Sequence, residues 1–258
     1  MSVRIVTGLL MAMTALFWRP GSAGAEIELL VSAASSLTDS FKEIGKAYEA
    51  GNPGVKIRFN FGASGSLLQQ IEQGAPVDIF ASADQQSMDK AEKGGLVLPA
   101  GRTDFVGNSL VLITPVNMTV VKGFVDLQSD QVQKISMGNP ASVPAGRYTK
   151  EALEKLGLWE VLAPKFVMGI SVKQALEYVM RGEVEAAFVF GSDAVVAQER
   201  VRIVSEIQTA TPIVYPVAVV TGNTKREEAL AFVRYLQGAE AQAVFVKYGF
   251  KKTEITQP

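Results

Sequence analysis

The segment FGASGSLL, at 61–68, stands between a strand-like stretch and a helix-like one. The preceding residues VKIRFNF (55–61) alternate apolar and polar side chains, and Leu67, Leu68 and Ile71 mark one face of a helix. Three further loops rich in small residues have the same position after a strand-like segment: AASSLTD (33–39), VPAGRY (143–148) and GISVK (169–173). Repeated β-α units of this kind predict an α/β fold with parallel, doubly wound sheets that carry helices on both faces.

Two long apolar runs predict how the chain is divided. SLVLI at 109–113 and IVYPVAVV at 213–220 are typical of extended strands that cross between two α/β lobes. We therefore expect residues 26–108 and 217–258 to form lobe 1 and residues 109–216 to form lobe 2. Loops at the carboxyl ends of parallel strands face one crevice, so the four small-residue loops should lie together.

Residues 1–25 have the pattern of a secretory signal peptide. Arg4 is followed by a mostly apolar run at 5–17, and Ala23-Gly24-Ala25 matches the small-residue cleavage pattern, so we expect cleavage after Ala25. The run is shorter than the ~20 apolar residues that a spanning helix needs. Because the chain has no Cys, it offers no site for a lipid anchor. We expect a free, soluble protein in the bacterial periplasm.

The composition excludes several classes of chemistry. The 258 residues include 25 Lys and Arg against 26 Asp and Glu, a net charge of −1. This balance does not suit a nucleic-acid-binding surface. The absence of Cys and His removes thiolate nucleophiles, imidazole bases and most ligands for zinc, copper or haem. Much familiar catalytic chemistry is therefore excluded, and our leading expectation is a protein that has no cofactor and is not an enzyme.

Two chemical alternatives stay open at this point. GASGS (62–66) approaches the G-x-S-x-G nucleophile motif, with Ser66 in place of the closing glycine, so a secreted serine hydrolase using Ser64 is the rival hypothesis. It would need a base other than His. Asp78, Asp84 and Asp193 are candidates to bind a hard cation, although carboxylates near strand ends are common on protein surfaces.

The four loops favour an anion site. Each offers free backbone N–H groups at the start of a helix, where the helix dipole attracts negative charge. Small residues allow a ligand to approach the backbone, and serine hydroxyls add further donors. The alternative is that Ser36, Ser64 and Ser171 only cap their own helices.

At these residues the sequence resembles the periplasmic molybdate-binding proteins of ABC transporters. The resemblance implies a type II periplasmic binding-protein fold, two lobes that close on molybdate or tungstate, an ABC permease in the inner membrane as partner, and a monomer. A sulfate- or thiosulfate-type carrier is the alternative within this class. The resemblance covers essentially the whole mature chain and is carried by AASSLTDSF (33–41), GAPVDIFASADQQSMD (74–89), GNSLVLITP (107–115), VPAGRYTKEALEKLG (143–157), FGSDAV (190–195), YPVAVV (215–220) and KYGF (247–250).

The resemblance also implies a set of ligand contacts. Ser36 and Ser64 would bind the oxyanion from lobe 1, and Ala145 and Val172 would bind it from lobe 2, mainly through backbone N–H groups. The fifth position departs from the family, because Phe190 stands where well-known members have a Tyr that donates a hydrogen bond to the anion. The Phe190 ring can form a wall of the pocket, but it cannot donate. The oxyanion would be held through these residues, with no direct ligation of a metal ion by the protein.

Overall fold

The computed structural model describes residues 26–98 and 101–253, so the predicted signal peptide at 1–25 lies outside the described residues. The strands are β1 (Ile27–Ala34), β2 (Val55–Gly62), β3 (Ile79–Ala81), β4 (Thr103–Asn108), β5 (Leu110–Pro115), β6 (Ile135–Gly138), β7 (Phe166–Gly169), β8 (Ala186–Phe190), β9 (Val201–Ile207) and β10 (Ile213–Val219). The α-helices are α1 (Thr38–Gly51), α2 (Ser64–Glu72), α3 (Gln85–Lys93), α4 (Pro144–Lys155), α5 (Trp159–Leu162), α6 (Val172–Met180), α7 (Gly191–Val196), α8 (Arg226–Gln237) and α9 (Ala239–Lys247).

The strands form two five-stranded sheets with the same plan. Sheet I has the order β2-β1-β3-β10-β4, and sheet II has the order β7-β6-β8-β5-β9. Three neighbouring strands are parallel in each sheet. Strand β10 runs antiparallel to both of its neighbours in sheet I, and β5 does the same in sheet II. The predicted α/β fold class is therefore confirmed, but the predicted parallel pairing holds for only three of the five strands in each sheet.

The two antiparallel strands have a common cause. Strand β4 ends at Asn108 in sheet I, and β5 begins at Leu110 in sheet II, with only Ser109 between them. The chain returns from β9 to β10 through residues 208–212. Parallel neighbours need a long crossover, which is usually a helix. Strands β5 and β10 each arrive from the other sheet without such a helix, so their direction is not fixed by a β-α-β unit.

The helices divide between the two sheets. Helices α1, α2, α3, α8 and α9 pack with sheet I and form half I, whereas α4, α5, α6 and α7 pack with sheet II and form half II. The boundaries predicted for lobe 1 (26–108 and 217–258) and lobe 2 (109–216) stay a prediction. None of the helices in the described ranges is long and apolar enough to cross a membrane.

The core of half I follows from the helical spacing of α1. Phe41, Ile44 and Tyr48 recur at three- and four-residue intervals and are all buried. The Phe41 ring lies 6.0 Å from the ring of Phe105 on β4 and 6.0 Å from that of Phe245 on α9. Aromatic pairs at such distances contribute about 0.5–1.5 kcal/mol each beyond the area that they bury. This packing fixes α1, and with it the loop that follows β1.

Candidate functional site

The five residues predicted to contact the ligand all lie where a strand passes into a helix or in the first turn of a helix. Ser36 is in a 3₁₀ turn (Ser35–Leu37) between β1 and α1, and Ser64 is the first residue of α2. Ala145 is the second residue of α4, Val172 is the first of α6, and Phe190 ends β8. Each is at most 5% exposed.

Contacts between loops bring these residues into one region between halves I and II. The N–H of Gly65, next to Ser64, donates to the carbonyl of Ser142, which lies just before α4, at 3.0 Å. Asn139 in that same loop donates from its N–H to the Gly169 carbonyl at the end of β7, at 2.9 Å. The loops that carry Ser64, Ala145 and Val172 are therefore neighbours.

Tyr215 lies between the remaining two residues, and the Phe190 ring is also 6.4 Å from that of Tyr148 on α4, the helix that carries Ala145. The Tyr215 hydroxyl lies 2.9 Å from the Oγ atom of Ser36, and the Tyr215 ring centroid lies 5.7 Å from that of Phe190. Tyr215 belongs to β10, the strand by which the chain returns to sheet I. Ser36 and Phe190 thus both lie next to Tyr215, Ser36 at its hydroxyl and Phe190 at its ring.

Three helices that begin in this region have N–H groups without a partner in their first turns. The backbone N–H groups of Ser64, Ala145 and Val172 are in the first turns of α2, α4 and α6, where no partner exists within the helix. Among residues 26–98 and 101–253, these three N–H groups donate no hydrogen bond to a loop carbonyl outside their own helix. The positive ends of the helix dipoles coincide with these donors. This arrangement suits a ligand that only accepts hydrogen bonds.

The structure separates the capping serine from the other two. The Ser171 hydroxyl accepts from the Gln174 N–H at 3.2 Å and so caps α6. Neither Ser36 nor Ser64 makes a capping hydrogen bond to its helix. The Ser64 hydroxyl instead accepts from the N–H of Ala83, at 3.0 Å. Because that contact uses the Ser64 oxygen as an acceptor, the hydroxyl proton remains to be donated elsewhere.

The two cations closest in sequence to the site are neutralised by carboxylates of the opposite half. Lys173 on α6 lies 2.6 Å from the Oδ2 atom of Asp39 on α1. The guanidinium Nε atom of Arg147 on α4 donates to Asp84, which caps α3, at 2.8 Å. Both ion pairs cross between halves I and II. They hold the halves together and leave the donors of the site mostly uncharged.

Asp193 adds a buried carboxyl beside this region. It is fully buried on α7, and its nearest cation is Lys173, at 3.7 Å. Burial raises the pKa of Asp193 to about 6, with Lys173 opposing the rise and Asp39 adding to it. Burial lowers the pKa of Lys173, but the nearby Asp193 and Asp39 outweigh it and raise that pKa overall.

Each of the three carboxylates considered for cation binding faces the side chain of a different lysine or arginine. Asp78 pairs with Lys225 at 2.8 Å, whereas Asp84 and Asp193 face Arg147 and Lys173. Within the part of the chain that the structure describes, no three acidic side chains are grouped as metal ligands.

Sequence reasoning missed two buried polar side chains at the site. Asn108 ends β4, and its Nδ2 atom lies 3.0 Å from the Tyr215 hydroxyl. Both residues stand in or beside apolar runs that predicted only crossover strands. A polar residue within such a run could have indicated a buried hydrogen bond, because a buried Tyr hydroxyl or Asn amide needs a hydrogen-bond partner.

The fold and the site define a class: a two-part α/β protein in which helices from both parts begin close together. Residues 29–251 match the family model for bacterial extracellular solute-binding proteins. The chain belongs to that family. Its resemblance to the molybdate-binding group is confirmed by the relatives that follow.

Three relatives share most of their length with this chain. The lipoprotein YvgL of Bacillus subtilis is 42% identical over 228 residues, which are 87% of this chain and 86% of the relative. The molybdate-binding protein ModA of Escherichia coli is 39% identical over 233 residues, 87% of this chain and 89% of its own. The periplasmic molybdate-binding protein of Azotobacter vinelandii superposes with a TM-score of 0.79 at 25% identity, covering 88% of this chain and 100% of that structure. The predicted type II fold is thus confirmed.

We predict that Asp193→Asn reduces the pH dependence of stability between about pH 4 and pH 6. The pKa of Asp193 rises from 3.8 to about 6 on folding. The folded protein therefore binds the proton more tightly than the unfolded chain, and the free energy of unfolding falls as pH rises through this interval. This fall in the free energy of unfolding should be on the order of 1–3 kcal/mol in the wild type, and it should be absent in Asp193→Asn.

Thermal unfolding is followed by circular dichroism from pH 3.5 to 7.5, in steps of about 0.5 pH units. It gives the change in the free energy of unfolding with pH for the wild type and for Asp193→Asn. Asp130→Asn, at an exposed position, is the matched control and should leave the slope unchanged. An Asp193→Asn protein with the wild-type slope would contradict the prediction.

Proposed function

We propose that this protein captures molybdate, and also tungstate, between halves I and II and delivers it to an ABC permease in the inner membrane. The observation that supports the proposal is that the loops before α2, α4 and α6 are hydrogen-bonded neighbours, which brings the first turns of these helices together. Ser36, Ser64, Ala145 and Val172 are the proposed ligand contacts, and Phe190 forms a wall. The relatives named as molybdate-binding proteins support the choice of ligand.

The charge state of the ligand fits the donors of the site. Molybdate and tungstate are fully deprotonated dianions near neutral pH, so their oxygens only accept hydrogen bonds. Hydrogen phosphate carries a proton that needs an acceptor, and a site of donors therefore disfavours it. Hydrogen bonds to a charged group contribute about 1.5–3 kcal/mol each, so four or five of them support tight binding without a free cation.

Closure of two lobes is the proposed mechanism of capture and release. Residues 26–108 and 217–258 would move against 109–216 about the crossover strands. An anion that contacts both lobes stabilises the closed form, and the cross-half ion pairs Lys173–Asp39 and Arg147–Asp84 stabilise the same form. The permease would then recognise the closed, loaded protein.

Export and a non-catalytic role complete the proposal. Membership in an extracellular family supports secretion, and we propose cleavage after Ala25, a free monomer in the periplasm, and no cofactor. A hydrolase would need a general base beside Ser64. Within the described ranges, the Ser64 hydroxyl has one hydrogen-bond partner, the N–H of Ala83. This group is a donor and cannot act as a base. A sulfate- or thiosulfate-type carrier is the alternative that shares this chemistry.

The proposal is tested by calorimetric titration of residues 26–258 with molybdate, tungstate and sulfate in parallel. We expect tight binding of the first two and weaker binding of sulfate. Ser36→Ala and Ser64→Ala should each weaken molybdate binding by about 10- to 100-fold, the value of one hydrogen bond to a charged group. Ser64→Ala should also lower the melting temperature, because it leaves the buried Ala83 N–H without its acceptor.

Ser171→Ala is the matched control for the two serines. Its hydroxyl caps α6, so it should lower stability by about 1 kcal/mol while leaving the affinity within about twofold. Sulfate binding more tightly than molybdate would support the alternative carrier. Absence of any oxyanion binding, or unchanged affinity in both site variants, would contradict the proposal.

We predict that Gly65→Ala weakens molybdate binding by hindering closure. A Cβ atom at Gly65 would lie 2.7 Å from the Ser142 carbonyl oxygen of the opposite half, which is too close for van der Waals contact. The halves must then separate, and the radius of gyration of the loaded protein in solution X-ray scattering should increase. Gly51→Ala is the control, because no atom lies within 4 Å of its added Cβ. Equal affinity and equal size in the two variants would rule out this role for Gly65.

We predict that Phe190→Tyr retains or improves the affinity for molybdate. The variant restores the hydroxyl found in related proteins, and the Phe190 ring already lies beside Tyr148 and Tyr215, at 6.4 and 5.7 Å. Calorimetry under the same conditions as for the wild type measures the change. A large loss of affinity would show that the ring fills space that a hydroxyl group cannot occupy.

A further inference from the structure

Three buried polar side chains form a continuous hydrogen-bonded chain that ends at the proposed ligand site. Asn108 lies at the end of β4, Tyr215 within β10, and Ser36 after β1. The Asn108 Nδ2 atom is 3.0 Å from the Tyr215 hydroxyl, which is 2.9 Å from the Ser36 hydroxyl. All three residues are at most 6% exposed. The function proposed above assigns a role only to Ser36.

The orientation of the Asn108 amide is fixed by the backbone. Its Oδ1 atom lies 2.9 Å from the N–H of Ser109 and 3.3 Å from the N–H of Ser192. A backbone N–H can only donate, so the atom facing these two groups must be the oxygen. The Nδ2 atom therefore faces the Tyr215 hydroxyl and the Ser192 hydroxyl, to which it donates at 3.0 and 2.9 Å.

This orientation sets the direction of the next hydrogen bond. Because Asn108 donates to the Tyr215 oxygen, the Tyr215 proton must be donated to a different atom. Among the described residues, the acceptor within reach is the Ser36 Oγ atom. Burial raises the pKa of Tyr215 well above its usual value, so the hydroxyl keeps its proton. Ser36 therefore accepts a hydrogen bond from Tyr215. Its own hydroxyl proton remains free to be donated to a group other than Asn108 or Tyr215.

We propose that Asn108 and Tyr215 act as a relay that makes the Ser36 hydroxyl a fixed donor, and that Tyr215 is a positioning residue for oxyanion selectivity. The inference rests on the proposed function, because the group that receives the Ser36 proton is the bound oxyanion. A freely rotating serine could accept a hydrogen bond from the O–H group of hydrogen phosphate as easily as it donates one to molybdate. A serine that already accepts from Tyr215 disfavours a protonated ligand oxygen.

Phe190 packs beside the relay. The Phe190 ring lies against the Tyr215 ring, with centroids 5.7 Å apart and planes inclined at 61°. A phenyl ring cannot donate a hydrogen bond, so Phe190 adds no donor of its own to the site. The site therefore depends more strongly on the donor at Ser36, which Tyr215 orients.

A double-mutant cycle tests whether Tyr215 acts through Ser36. In the otherwise wild-type protein, we expect Tyr215→Phe to weaken molybdate binding by about 10-fold, within the range for one hydrogen bond to a charged group. In the Ser36→Ala background, the same change should alter the affinity by less than about twofold, because the residue through which Tyr215 acts is already absent. Equal losses in the two backgrounds would overturn the proposal, since they would indicate a separate structural role or a direct contact.

Selectivity supplies a second readout in the same variants. Tyr215→Phe should reduce the preference for molybdate over inorganic phosphate, because Ser36 becomes free to accept a hydrogen bond from the phosphate O–H group. Tyr48→Phe, at another buried tyrosine on α1, is the matched control and should change neither the affinity nor the preference. An unchanged preference in Tyr215→Phe would count against the relay.

The direction of the relay can also be measured without any variant or ligand. In wild-type protein with selectively labelled tyrosine, NMR should detect a slowly exchanging Tyr215 hydroxyl proton with a nuclear Overhauser effect to the Ser36 β protons. A hydroxyl proton directed at Asn108 would overturn the proposal even if Tyr215→Phe fails to fold. Wild-type protein that does not bind molybdate but shows this proton contact would refute the proposed function and leave the relay standing.

Discussion

Backbone N–H groups at the start of a helix have no partner within that helix, and the rest of this structure depends on where those groups are placed. Helices α2, α4 and α6 begin after parallel strands of two different sheets, and their first turns meet between the two halves. A buried donor without an acceptor costs about 1–3 kcal/mol. Several such donors near one another, in helices from both halves, are therefore a physical argument for a ligand made only of acceptors.

The charges around the cleft serve the same end. Lys173 and Arg147 follow closely on Val172 and Ala145, yet each is paired with a carboxylate of the opposite half. The cations thus stabilise contact between the halves, and the proposed ligand contacts are left to the partial charges of amides and hydroxyls. Dispersed partial charge suits a large, weakly basic dianion, and it leaves selectivity to the direction of individual donors and to the size of the cleft.

The sequence predicted the parts of this structure that depend on local pattern. The buried face of α1, the loops that begin α2, α4 and α6, and the resemblance to a known family all came from contiguous residues. The antiparallel direction of β5 and β10 was missed, because it follows from the path between two sheets. The roles of Asn108 and Tyr215 were missed for a similar reason, since Tyr215 is 107 residues from Asn108 and 179 from Ser36. Short strands such as β7, with four residues, gave too little periodicity to predict.

The most direct test of the central claim is a high-resolution crystal structure of residues 26–258 with molybdate bound. The account predicts oxyanion oxygens within about 3 Å of the Ser36 and Ser64 hydroxyls and of the Ala145 and Val172 N–H groups, with Lys173 and Arg147 still paired to carboxylates. An anion bound directly by lysine or arginine side chains, or bound with those four donors pointing away from it, would contradict the account.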